Sequence, residues 1–211
     1  RARARLGADP LHMLFDAVAG PVGPASLVGT ATGDAGGDAG TDTAGVFCCG
    51  LRMVSLDGTT TDVPDSKEND RYFGRPSNAT RAGAFPQVRW LMAAESGTGA
   101  LIGATFGPYT LGEQTLARDL LPAFGPGMLV LADRKFLSWA LAREFLATGA
   151  HILWRASASF TLKPVKVLED GTYLAQLTPP RKKDGPPLTV RVIEYTVRTT
   201  PEEGDPDAVG R

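Results

Sequence analysis

Cysteine is nearly missing from this chain: Cys48 and Cys49 stand side by side, and no other occurs among its 211 residues. Adjacent cysteines bridge poorly because the peptide between them is strained in so small a ring. The disulfide framework of a small secreted domain is therefore excluded, and the pair reads as small, partly buried free thiols. Histidine is equally scarce: His12 and His151 both lie far from the cysteines, which removes the common thiolate–imidazole metal sites. No apolar run approaches the roughly 18–20 residues needed to cross a bilayer. Residues 1–5 are arginine-rich and residues 11–19 largely apolar, but His12 and Asp16 interrupt that stretch, so an amphipathic helix fits better than a leader. A cytoplasmic protein without membrane contact is expected. The charge is not one-sided either: a formal net of −1 gives no global pull towards nucleic acid, so such a partner must be met by local patches.

What the chain does have is a hydrophobic fraction of 43%, enough for one sizeable core at this length. Its character changes along the sequence. Leu6, Leu11, Leu14, Phe15 and Val18 recur at helical spacing, so residues 1–19 read as the remnant of an N-terminal helical domain. Residues 20–46 turn to Gly, Ala, Thr and Asp, which bury too little to offset backbone ordering, and a flexible linker is expected there. The paired Gly-Asp-Ala-Gly copies lack the apolar position of calcium-binding β-roll repeats. A core spans 47–158, a β-rich module 159–198 with a hairpin around Glu169-Asp170-Gly171-Thr172, and a polar tail, expected to be disordered, spans 199–211.

Within 47–158 the expected elements are a strand at 51–56, a hairpin of strands at 85–95 and 100–106, and a helix at 112–124. A buried strand at 128–132, a helix at 136–148 and a strand at 151–154 follow. The order β-β-β-α-β-α-β describes a ribonuclease-H-like α/β fold with the fourth strand beside the first. Two of these strands run into an aspartate: Leu56 is followed by Asp57 and Ala132 by Asp133. A strand that is apolar almost throughout delivers such a charge to the sheet rim, where α/β proteins build their sites. If the two strands are neighbours, Asp57 and Asp133 sit side by side. Asp133 also stands where it could cap the following helix. Trp90, Trp139 and Trp154 fall on expected strands or a helix and read as core.

A strand followed by Asp-Gly-Thr is also found in phosphatases whose nucleophile is an aspartate two positions earlier. Ser55 occupies that position here, and without the nucleophile the phosphoaspartyl chemistry cannot begin.

Several segments together carry a resemblance: Leu56-Asp57-Gly58-Thr59 through Asn69, Phe85-Pro86-Gln87-Val88-Arg89, Gly112-Glu113-Gln114, and Val130-Leu131-Ala132-Asp133-Arg134-Lys135-Phe136. In this order the chain resembles the bacterial insertion-sequence DDE transposases of the IS-four group. The resemblance implies a ribonuclease-H-like catalytic domain that cuts and joins DNA at transposon ends, with Mg²⁺ or Mn²⁺ as cofactor and a possible homodimer when full length. It carries the first two metal-binding catalytic acids onto Asp57 and Asp133. That chemistry is in-line displacement at phosphorus with two ions roughly 3.5–4 Å apart. Two departures stand out. Lys135 occupies a position where the family usually has Gly. The family's third acid, a Glu within a Tyr-x2-Arg-x3-Glu-x6-Lys pattern, has no counterpart here and is expected beyond Arg211. The expectation is a truncated catalytic domain, inactive alone; the alternative is a non-catalytic remnant that at most binds DNA or a partner copy. Arg134, Lys135 and Arg89 are the candidate DNA contacts.

Overall fold

The computed structural model describes residues 9–23, 45–77 and 83–195. The chain divides into two compact units, Arg1–Phe160 and Thr161–Arg211.

The first unit is organised on a mixed sheet of β1 (Phe47–Cys48), β2 (Leu51–Asp62), β3 (Gln87–Glu95), β4 (Leu101–Pro108), β5 (Met128–Ala132) and β6 (His151–Trp154). The order across it is β4-β3-β2-β5-β6, with β1 pairing to β2. β2, β3 and β4 run antiparallel, while β5 lies parallel to β2 and β6 parallel to β5. Three antiparallel strands with the fourth returning beside the first give the ribonuclease-H-like order expected from the sequence. The helices are α1 (Asp9–Val18), α2 (Lys67–Phe73), α3 (Glu113–Asp119) and α4 (Trp139–Ala147).

Alternation along β2 buries Arg52, Val54 and Leu56 on one face. Val54 and Leu56 meet Leu91 and Ala93 of β3 and Val130 of β5, and Leu116 of α3 with Leu141 and Phe145 of α4 close over them. The Phe145 ring centroid lies 4.9 Å from that of Phe124 and 5.2 Å from that of Trp154, in tilted and edge-on contacts. A wholly buried Leu or Phe of this cluster contributes about 1.5–3 kcal/mol by transfer from water. On the opposite face Leu101, Phe106 and Leu153 are exposed. Among the described residues no helix is long and apolar enough to cross a membrane.

Several elements differ from their sequence expectation. β2 does not stop at Leu56 but continues to Asp62, because β3 pairs with it as far as Gln87. The expected helix at 136–148 begins at Trp139. Ser138 is its cap and accepts from the Leu141 N–H at 3.3 Å. Asp133 is therefore not the cap; its carbonyl accepts from the Phe136 N–H at 3.0 Å, a turn that inserts the Phe136 ring into the core. The expected helix at 112–124 is shortened to α3 and a 3-10 turn at Leu121–Ala123, since Pro122 has no N–H to continue an α-helix. Cys48 and Cys49 are exposed rather than partly buried. They form the tight turn from β1 into β2, in which Cys49 (φ 53) and Gly50 (φ 78) both take left-handed backbone.

The expected linker is ordered where it meets the sheet. The Gly20 N–H donates to the Leu101 carbonyl at 3.0 Å, and the Met53 N–H to the carbonyl of buried Val46 at 2.8 Å. Glu95, wholly buried at the end of β3, accepts from the Gly23 N–H at 2.8 Å, the Val22 N–H at 3.3 Å and the Thr98 hydroxyl at 2.5 Å, and pairs with Arg52. A buried carboxylate requires such donors, and these draw the chain onto the sheet. The remainder of that linker, 24–44, lies outside the described residues, as do residues 1–8 and the expected tail at 199–211.

The second unit holds an antiparallel sheet of β7 (Lys166–Val167), β8 (Tyr173–Leu177) and β9 (Leu188–Val192), in that order. Among the described residues, Ala175 and Leu177 are its buried side chains. The expected last strand at 188–197 ends at Val192, and 193–195 continue without regular structure.

Candidate metal centre

The parallel ladder between β2 and β5 runs Arg52↔Met128, Met53↔Leu129, Val54↔Val130, Ser55↔Leu131 and Leu56↔Ala132, and there it ends. Asp57 and Asp133 are the next residue on each side. Paired strands lie about 4.8 Å apart, so the two backbones are neighbours where the carboxylates leave them. Alternation turns Asp57 away from the face on which Val54 and Leu56 are buried, and both aspartates are exposed. β2 stays paired to β3 at Asp57↔Met92, which holds the Asp57 backbone on one side and leaves it open on the other. Asp57 Oδ1 accepts from the Gly58 N–H at 2.8 Å. Ala132, just before Asp133, is held through its carbonyl by the Arg155 N–H at 3.0 Å.

Among the described residues neither aspartate is in an ion pair. Exposed carboxylate oxygens without a competing cation suit Mg²⁺ or Mn²⁺, hard ions that complete their shells with water. No group of three or more His, Cys, Asp or Glu residues able to hold a metal occurs among the described residues.

Of the candidate basic residues, Arg89 and Lys135 are brought together on Glu113. Arg89 Nη1 lies 3.4 Å and Lys135 Nζ 3.8 Å from Glu113 Oε1. Arg89 is half-buried, with its guanidinium 5.2 Å from the centroid of the Tyr109 ring. Its Nε is buried without a hydrogen-bond partner among the described residues. Arg134 is exposed in the turn after Asp133. Lys135 does not take a left-handed conformation, so the turn has no need of the glycine found there in the resembled family.

Glu113 and Gln114, in the first turn of α3, are the residues whose contacts sequence reasoning misses. A Cβ on Gly58 would lie 3.2–3.3 Å from the Glu113 side chain, so the glycine leaves room for Glu113 on the face that Asp57 turns away from. Gln114 Nε2 donates to the Lys135 carbonyl at 2.8 Å, and Gln114 Oε1 accepts from the Ser138 hydroxyl at 3.0 Å. The available signal is the Gly112-Glu113-Gln114 motif itself, which shows where the residues stand but not what they touch.

No family model matches the chain. The transposase InsG of insertion sequence element IS4 from Escherichia coli (strain K12) is 30% identical over 158 residues, covering 70% of this chain. The match covers 35% of InsG, so the chain spans about a third of that relative's length. Among solved structures, a piggyBac transposase synaptic complex with hairpin DNA aligns with a TM-score of 0.34 and 14% identity, over 66% of this chain and 32% of that one. By its match to InsG the chain is a homologue of the IS4 transposase.

Proposed function

We propose that Asp57 and Asp133 are two of the carboxylate ligands of a DNA phosphoryl-transfer site, the catalytic centre of an insertion-sequence transposase. The observation that carries this reading is the register: the ladder ends at Leu56↔Ala132 and an aspartate follows on both strands. A divalent ion held there would polarise a phosphoryl oxygen and favour deprotonation of an attacking water or hydroxyl. The protein's own contribution is to present two carboxylates on the rim of a rigid sheet, with Arg134 in the adjoining turn to meet a DNA phosphate. DNA is thus the proposed partner, and transposon ends the proposed substrate. Among the described residues no group of three such ligands forms, and two carboxylates hold a second ion poorly. Weak metal binding and no DNA cleavage are therefore expected from residues 1–211.

Titration of the chain with Mn²⁺, followed by paramagnetic resonance, tests the site. Asp57→Asn and Asp133→Asn should each raise the apparent dissociation constant at least tenfold without altering the circular dichroism spectrum. Unchanged binding in both variants would remove the carboxylate pair from any metal site. Incubation with transposon-end DNA and Mg²⁺ tests the second clause: cleavage by residues 1–211 that is lost in Asp57→Asn would show that the chain needs no further carboxylate.

A further inference from the structure

Asp133 leaves β5 on a turn, and a turn must be fixed if its carboxylate is to hold an ion beside Asp57. The contacts that fix it come from α3. Gln114 bridges two points beyond Asp133, donating to the Lys135 carbonyl at 2.8 Å and accepting from the Ser138 hydroxyl at 3.0 Å. Within the bridged segment, the Phe136 N–H closes onto the Asp133 carbonyl at 3.0 Å, and the Phe136 ring is 1% exposed. The turn is therefore anchored by one buried ring and one amide side chain.

Glu113, the neighbouring residue, has a second task. Its carboxylate lies behind Gly58 and engages both Arg89 and Lys135. Lys135 is two residues from Asp133, and its side chain is 69% exposed. The carboxylate nearest to Lys135 in sequence is Asp133 itself. A lysine paired with that carboxylate would compete directly with a divalent cation.

We infer that Glu113 and Gln114 are positioning residues of the metal centre: Gln114 clamps the turn that carries Asp133, and Glu113 draws Lys135 away from the aspartates. This inference rests on the proposed reading of Asp57 and Asp133 as metal ligands. Groups outside the ligand shell that orient ligands typically change metal affinity 10- to 100-fold when removed, which sets the size of the expected effect.

The test measures Mn²⁺ binding and amide exchange on residues 1–211. Gln114→Leu should weaken Mn²⁺ roughly tenfold and speed exchange at the Phe136 amide, while the β2 and β5 amides keep their protection. Glu113→Gln should also weaken Mn²⁺, and adding Lys135→Ala should restore it, a recovery that loss of structure alone cannot produce. Binding that is lost in Asp57→Asn but unchanged in Gln114→Leu and Glu113→Gln overturns the positioning roles and leaves the site standing. A Glu113→Gln defect that persists after Lys135→Ala overturns the role given to Glu113. Binding that is absent in the wild-type chain, or insensitive to Asp57→Asn, overturns the site reading and this inference with it.

Discussion

Leu56 and Ala132 are the last partners of the parallel ladder between β2 and β5, and the residue after each is an aspartate. Two chains leaving a ladder at the same rung carry their next side chains out together, whatever ion or substrate is present. The relationship can be checked without metal. In a Cys48→Ser, Cys49→Gly background, Asp57→Cys with Asp133→Cys should oxidise to an intramolecular disulfide, since neighbouring strands fall within the ~4.4–6.8 Å between Cα atoms that a bridge spans. Thr60→Cys with Asp133→Cys should not, because Thr60 lies three residues farther along β2. Mass spectrometry of non-reduced digests distinguishes the two, and equal bridging in both would contradict the register.

The core should be most sensitive at Phe145. This ring is fully buried and touches both Phe124 and Trp154, so truncation leaves a cavity between α4, β6 and the turn before β5. Phe145→Ala should cost about 3–5 kcal/mol in urea unfolding. A loss under about 1 kcal/mol would place the ring in a site that collapses freely.

Gly149 ends α4 with φ +88, and a Cβ there would sit 2.9 Å from the Pro126 ring. Both the left-handed backbone and the clash penalise any side chain. Gly149→Ala should lower unfolding free energy by about 1–2 kcal/mol, read by urea denaturation. No change would mean that the chain between α4 and β6 relaxes away from Pro126 at little cost.

The parts of this fold that are legible in the sequence are those where one signal dominates. Met128-Leu129-Val130-Leu131-Ala132 is apolar throughout and bounded by Gly127 and Asp133, and β5 has those limits. β6 is similarly bounded, by Gly149 and by the polar chain after Trp154. α2 is not legible: Lys67-Glu68-Asn69-Asp70-Arg71-Tyr72-Phe73 buries no residue, and its start depends on the Ser66 side chain accepting from the Asn69 N–H. At the site, Asp57 and Asp133 stand out because each interrupts an apolar pattern. Gln114 does not, because its partners are a backbone carbonyl and a hydroxyl on a turn that only the folded chain brings near. Arg52 and Glu95 are obscure for the same reason: each reads as an ordinary polar residue at a strand position, and only the register of β2 against β3 buries them together.

That buried pair carries its own prediction. Removing one partner leaves the other charge in an apolar setting, the costly way to break a buried ion pair. Glu95→Ala should destabilise the protein by about 3–5 kcal/mol. It should also release the chain at Val22 and Gly23, whose N–H groups donate to this carboxylate. Urea unfolding reads the first effect and amide exchange at Gly23 the second. A stable variant with Gly23 still protected would show that the carboxylate is not what holds this segment.

The same carboxylate predicts how stability depends on acid. Burial pushes the Glu95 carboxyl up, but the Thr98 hydroxyl, the Gly23 N–H and Arg52 outweigh it and hold the group below its ordinary value of 4.5. A carboxyl depressed in the folded state stabilises the protein while it is ionised, above its unfolded pKa. As pH falls through the folded value it takes up a proton and that contribution is lost. From pH 7 to about 5 the wild-type advantage over Glu95→Gln should therefore be constant. Below about 4.5 it should shrink, because the protonated wild type and the amide become alike in charge. Urea midpoints of the two proteins, measured between about pH 3 and 7, give the comparison. A difference that stays the same across the whole range would show that Glu95 does not titrate below its ordinary value in the folded protein.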